Sequence, residues 1–448
     1  MKRLQYILAI VALSLMLTVP AFAAPKVALP KYGTWDADMI NSDSSGKTGA
    51  GVYVAVLDTG LVPFWRDYFP VDRIATHLGK GFVEEVHVDP QTGELVYAGF
   101  VHETSWVGST YSTHGTHVTS TIIGYNYYAP SDWLGGYALP PLFVKGIAPD
   151  VTIIPVKVLT NYVLPGYPEG KELVFGTDKA VAAGIYYATD LKIQGYSPMV
   201  ISMSLGGPEP TVEIEDAINY AIGHGVIVVA AAGNSGDAGM DWPGAYPQVI
   251  SAGACGWKYE WYDASGDPPP YTRRYRLWWL QSPYYGYNNI PEDTPAGDVY
   301  ITDFSSRPNA TLGQEPEDLD VVAPGSWVRG PFPDGFSHLP WWSNGLAWYF
   351  SAPGLTNFYY VGGTSMATPH VSAVAAQMLE KDPTLTQAEV EHIMKTTALP
   401  IPAATNYMYY DIVNATGHSA PDWYYLTWGL YAVGSGLIQA DAAVAAVP

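Results

Sequence analysis

The stretch GVYVAVLDTG, Gly51–Gly60, decides how the rest of the chain reads. From Val52 to Leu57 every residue is apolar, with no polar alternation, as expected of a strand covered on both faces in a parallel sheet. The run then stops on an acid, Asp58, and Thr59–Gly60 can turn the chain directly after it. The same kind of run recurs as VTIIPVKVL (151–159), MVISMSLGG (199–207), VIVVAAAGN (226–234), QVISAGA (248–254) and LDVVAPG (319–325). Helix-like stretches lie between these runs: HGTHVTSTIIG (114–124), GTDKAVAAGIYYATD (176–190), TVEIEDAINYAIGHG (211–225), SMATPHVSAVAAQMLEK (365–381) and TQAEVEHIMKTTA (386–398). Strands alternating with helices predict an α/β fold with a mostly parallel central sheet and helices on both faces. Ligands in such folds sit beyond the carboxyl ends of the strands, which singles out Asp58, Ser204 and Asn234.

Composition narrows the function. Of 448 residues, 48% are hydrophobic and only 14% charged, which specifies a folded chain with a large core. A net charge of -21 with no basic cluster excludes nucleic acid as a partner and disfavours anionic membrane surfaces. At the N-terminus, Lys2 and Arg3 precede an apolar run, Tyr6–Val19, and AFA at Ala21–Ala23 supplies the small-x-small pattern of a cleavage site. Residues 1–23 therefore read as a signal peptide and the protein as secreted. The alternative is an uncleaved N-terminal anchor, which would tether it to a membrane. Residues 24–50 read as a short N-terminal segment and 51–448 as one domain. The stretches 79–110, 256–300 and 331–360, rich in Gly, Pro, Tyr and Trp, read as long aromatic loops inserted into it. Cys255 is the only cysteine, which leaves no internal disulfide, and its apolar setting reads as a buried thiol.

Amide hydrolysis by a hydroxyl needs a base, an anion that orients the base, and donors for the oxyanion. The chain offers a candidate for each. Asp58 ends a strand, and His114 opens a helix with Gly115 beside it. Asn234 ends another strand, and Ser365 begins the helix of GGTSMATPHVS (362–372), where its backbone N–H can also face developing negative charge. Pro369 is expected in the first turn of that helix, where a missing N–H costs little. His370 then reads as a packed or surface-edge residue.

VLDTG, HGTHV, AAGN and GTSMATPHVSA together resemble the motifs of the subtilisin-like serine proteases, in that family's order of Asp, His and Ser. The similarity runs from about residue 30 to the end, leaving out the three aromatic stretches. It implies a serine endopeptidase acting on protein or peptide substrates. Asp58 would orient and stabilise the imidazolium, His114 would act as general base and then acid, and Ser365 as nucleophile, with Asn234 and the Ser365 N–H as the oxyanion hole. Ser204, Leu205, Gly206 and Gly207 are similar to the edge segment that pairs with substrate backbone. His117 matches a structural histidine. The chemistry so implied needs no cofactor. Asp67 falls where the family often ligates structural calcium, although alone it reads equally well as a solvated loop residue.

DWPGAYPQVI (241–250) is similar to the family segment that closes the pocket for the side chain preceding the scissile bond, and the resemblance implies that Asp241 stands at the base of that pocket. A carboxylate there favours Lys or Arg. It could instead point to water or help ligate calcium. Two other functions stay open on residues alone: an aspartic protease, though no second D-T-G or D-S-G occurs, and an inactive scaffold that uses the fold for binding. Zinc held by His114 and His117 lacks the glutamate of a zincin helix.

Overall fold

The computed structural model describes residues 31–89, 91–92, 94–127, 141–162, 173–260, 279–280, 295–333, 347–348, 358–410, 413–414, 417–418 and 422–448. The signal-peptide reading lies outside these residues, as do most of 256–300 and 331–360.

Among the described residues the central sheet has nine strands: β1 (Tyr53–Asp58), β2 (Lys80–Val88), β3 (Leu95–Thr104), β4 (Thr152–Lys157), β5 (Met199–Met203), β6 (Ile227–Ala231), β7 (Ile250–Trp257), β8 (Val299–Ile301) and β9 (Val321–Pro324). Their order is β8-β7-β6-β5-β1-β4-β2-β3, with β9 also paired to β7. Every pairing is parallel except the outermost ones, β7 with β8 and β2 with β3. Among the described residues seven α-helices accompany it: α1 (Trp35–Met39), α2 (Thr113–Ile123), α3 (Asp178–Ile193), α4 (Val212–Gly223), α5 (Thr364–Lys381), α6 (Gln387–Thr397) and α7 (Ala440–Ala446).

The unalternating apolar runs are explained by two cores. Successive side chains of a strand point to opposite faces, so Val54 and Val56 of β1 join one buried cluster with α2, α5 and α6 while Ala55 and Leu57 join another with α3 and α4. Both faces of β1 are buried among apolar side chains up to Asp58, where the strand ends. Cys255 is buried in β7, and burial pushes its thiol well up.

Within the short N-terminal segment, α1 reaches the core, where Trp35 is fully buried. Two readings of the sequence are corrected. Residues 80–104, expected within a long inserted loop, form the β2–β3 hairpin that extends the sheet edge. Pro369 is the sixth residue of α5 and lies beyond its first turn, so its missing N–H does remove a helical hydrogen bond.

Candidate active site

Asp58 is the last residue of β1, and the carboxylate is buried. Its Oδ1 accepts from the Thr59 N–H at 2.7 Å, which fixes the side chain against the turn that follows. His114, the second residue of α2, places Nδ1 2.9 Å from both Asp58 oxygens. A neighbouring carboxylate makes Nδ1 the protonated nitrogen. Nε2 has no protein partner among the described residues. Gly115 permits this approach: a Cβ there would fall 2.3 Å from the Gly60 carbonyl and 3.1 Å from Asp58 Oδ1. Its N–H donates to Thr59 Oγ1 at 2.9 Å, tying the start of α2 to the end of β1. Burial pulls the His114 pKa down, but the Asp58 charge and hydrogen bond outweigh it and the net shift is upward. The ring is 30% exposed, which weakens the burial penalty and favours the upward direction.

Ser365 is the second residue of α5 and the one position from Val361 to Leu379 that is not buried. Its hydroxyl donates to the Ser204 carbonyl at 3.2 Å rather than to the His114 ring. Catalytic contacts of this kind are often made only once substrate is bound. The Ser204 hydroxyl donates in return to the Ser365 carbonyl at 2.8 Å.

Asn234 follows β6 and is exposed. Its Oδ1 accepts from Thr364 N–H at 2.9 Å and Thr364 Oγ1 at 3.0 Å. A backbone N–H demands an acceptor, so the amide orientation follows from its partners, and Nδ2 is left to face away from Thr364. That nitrogen lies 3.8 Å from where a Cβ on Gly363 would stand, alongside the start of the serine helix. The sequence did not single out Thr364, although its place between Gly363 and Ser365 is the signal that could have found it.

Beyond β5, Gly207 exchanges two 2.8 Å backbone hydrogen bonds with Trp242, so its backbone is already paired. Leu205 packs on the α3–α4 side, and Gly206 is exposed. Asp241 lies between this segment and the loop after β6. A Cβ on Gly206 would fall 2.7 Å from Asp241 Cβ, and one on Gly233, whose φ is +103°, 2.6 Å from Asp241 Oδ2. Both neighbours must be glycine for the carboxylate to fit. Burial lifts its pKa to about 6, and no side chain among the described residues pairs with it.

The remaining expected residues divide plainly. His117 is buried, and its Nε2 donates to the Val328 carbonyl at 3.1 Å. Burial, with His114 close by, lowers its pKa to about 3, so it is a neutral packing residue. His370 is buried as well, bonded to the Met366 carbonyl at 2.8 Å and to Asp36 at 3.0 Å. The surface-edge alternative for it is therefore set aside. Asp67 lies in a short 3-10 turn, Trp65–Asp67, where its backbone carbonyl accepts from Asn126 at 3.4 Å. Among the described residues no three His, Cys, Asp or Glu side chains gather closely enough to hold a metal ion.

Comparison with known proteins decides the family, because residues 49–420 match the subtilase family. The chain belongs to that family. The subtilase is 26% identical to subtilisin BL of Lederbergia lenta over 83% of its own length and 91% of the relative's. It is 25% identical to subtilisin E of Bacillus subtilis over 79% of its length and 62% of that protein's. Among solved structures it is similar to sphericase, with a TM-score of 0.54 at 24% identity, covering 91% of this chain and 97% of that one. Fervidolysin from Fervidobacterium pennivorans gives a TM-score of 0.52 at 23% identity, over 92% of this chain and 46% of the other. The protein is a serine-type endopeptidase of this family. No described helix of the subtilase is long and apolar enough to cross a membrane.

Proposed function

We propose that this subtilase is a secreted endopeptidase that cleaves proteins and peptides through an acyl-enzyme on Ser365. The observation that carries this reading is the buried Asp58 carboxylate holding His114 by Nδ1, which leaves Nε2 unbonded to take a proton. Ser365 Oγ attacks the scissile carbonyl as its proton passes to His114 Nε2. Asp58 stabilises the imidazolium without taking the proton. The negative oxygen is met by Asn234 Nδ2 and the Ser365 N–H, donors fixed before the reaction begins. His114 then protonates the leaving amine, and water, deprotonated by the same imidazole, hydrolyses the ester. Side chains and backbone supply every step, with no cofactor. Export is supported by the charged, apolar and small-residue order of residues 1–23.

Primary specificity follows from Asp241. A partly desolvated carboxylate with no partner of its own gains most from a cation, which supports cleavage after Lys or Arg. The test compares kcat/KM on matched peptides with Arg, Leu and Phe at that position. Arg is expected to lead at pH 8, to lose its lead as pH falls through about 6, where Asp241 takes up a proton, and to lose it at every pH in Asp241→Ser. A preference for Leu or Phe that is unchanged by Asp241→Ser would show that the carboxylate does not read the substrate. Ser365→Ala is expected to be inactive on all three.

A further inference from the structure

The serine helix carries a proline where it needs a donor. In an α-helix the carbonyl of residue i accepts from the N–H of residue i+4. Ser365 lies four residues before Pro369, which has no N–H, and a proline ring also crowds the carbonyl four positions back. The nucleophile's own carbonyl is thus deprived of its helical partner and pushed outward in a region where almost everything is buried. The Ser204 hydroxyl meets it at 2.8 Å. Ser204 is itself buried, immediately beyond the end of β5, so this hydroxyl is not a solvent-exposed group that happens to touch. Further along the helix, Ser372 donates to Ser202 of β5 at 2.8 Å, a second tether between the same two elements.

We propose that Ser204 is a positioning residue for catalysis: its hydroxyl replaces the helical donor that Pro369 removes and so holds the Ser365 backbone in register with the oxyanion site. This goes beyond the backbone pairing expected of Ser204 and rests on Ser365 being the nucleophile. Ser365 is then held from both sides. Asn234 grips the preceding residue through the Thr364 N–H, and Ser204 grips the carbonyl that follows. Without Ser204 the 365–366 peptide would be free to rotate toward any other donor, taking the nucleophile with it. A small displacement of this kind weakens the transition state more than substrate binding, because the ground state makes little use of the oxyanion donors.

The test is a rescue. Ser204→Ala is expected to lower kcat about tenfold while leaving KM within about twofold. Pro369→Ala restores an N–H at the helical position, and the double variant Ser204→Ala/Pro369→Ala is expected to regain activity to within about threefold of the parent. Pro369→Ala alone is expected to stay near parental activity. Thermal unfolding of each variant separates a displaced nucleophile from a damaged fold, and if Ser204→Ala does not accumulate, Ser204→Cys, a much weaker donor, takes its place in the cycle. The proposal is overturned if Ser204→Ala keeps parental kcat, or if the folded double variant remains as impaired as the single one. Either result with Ser365→Ala still inactive removes the positioning role and leaves the nucleophile assignment standing. Activity in Ser365→Ala would remove both.

Discussion

At the scale of single residues, the site works by spending each side chain's second polar atom on orientation. Asn234 is held by its oxygen, so its nitrogen is aimed before any substrate arrives. His114 is held by Nδ1 in the same way, and that bond sets which nitrogen can accept a proton. On the proposed mechanism Asn234→Ala removes one oxyanion donor and keeps the nucleophile, so it is expected to lower kcat by about 10²–10³ with a small change in KM. A parental kcat in that variant would mean the oxyanion is stabilised elsewhere. Asp58, His114, Asn234 and Ser365 stand out in the sequence as candidates because each ends an apolar run or opens a helix with a polar residue, and their proposed roles come from the family motifs in which they lie. Thr364 does not, because a threonine before a serine at a helix start has many ordinary explanations. Its use as a clamp on Asn234 depends on a partner 130 residues away.

At the scale of elements, α5 is the piece on which most else rests. It crosses the core beneath the sheet and is tied to the N-terminal region by His370 and Asp36. A carbonyl has no proton to give, so His370 Nδ1 donates to Met366, and Nε2 bonds the buried Asp36 carboxylate at 3.0 Å. Breaking a buried pair leaves a charge or a polar atom stranded. Asp36→Ala is expected to cost about 3–5 kcal/mol in denaturant unfolding, more than a surface carboxylate in the same region. A loss below about 0.5 kcal/mol would place the pair among contacts that add nothing. Nothing in the residue pattern signals this link: α1 has only five residues, too short a stretch for periodicity to register. The hairpin at 80–104 was hidden for another reason. Residues 95–100 of β3 are exposed, so the alternation that marks a half-buried strand is missing there.

At the scale of the whole molecule, the chain carries carboxyls that the fold prefers uncharged. Glu260 is buried beside Tyr300 and Ser326, each 2.9 Å from Oε2, and the Trp257 N–H bonds Oε1 at 3.0 Å. Burial dominates these hydrogen bonds and lifts its pKa from 4.5 to about 8. A carboxyl raised in the folded state binds its proton more tightly there than in the unfolded chain. Stability is therefore highest below the ordinary value and is lost as pH rises from about 4.5 through about 8. The full shift corresponds to a loss on the order of 5 kcal/mol. Raised Asp241 acts in the same direction. Unfolding free energies at pH 5 and pH 9 are expected to fall steeply for the parent and much less for Glu260→Gln, which keeps the shape without the charge. Equal slopes would show that Glu260 does not carry the pH dependence. The central claim, that the Asp58–His114 pair activates Ser365 as a nucleophile, is tested most directly by labelling the folded protein with a sulfonyl fluoride and locating the adduct by peptide mass mapping. Stoichiometric modification of Ser365, abolished in His114→Ala, is the expected result; an unmodified Ser365, or labelling that survives loss of His114, would contradict it.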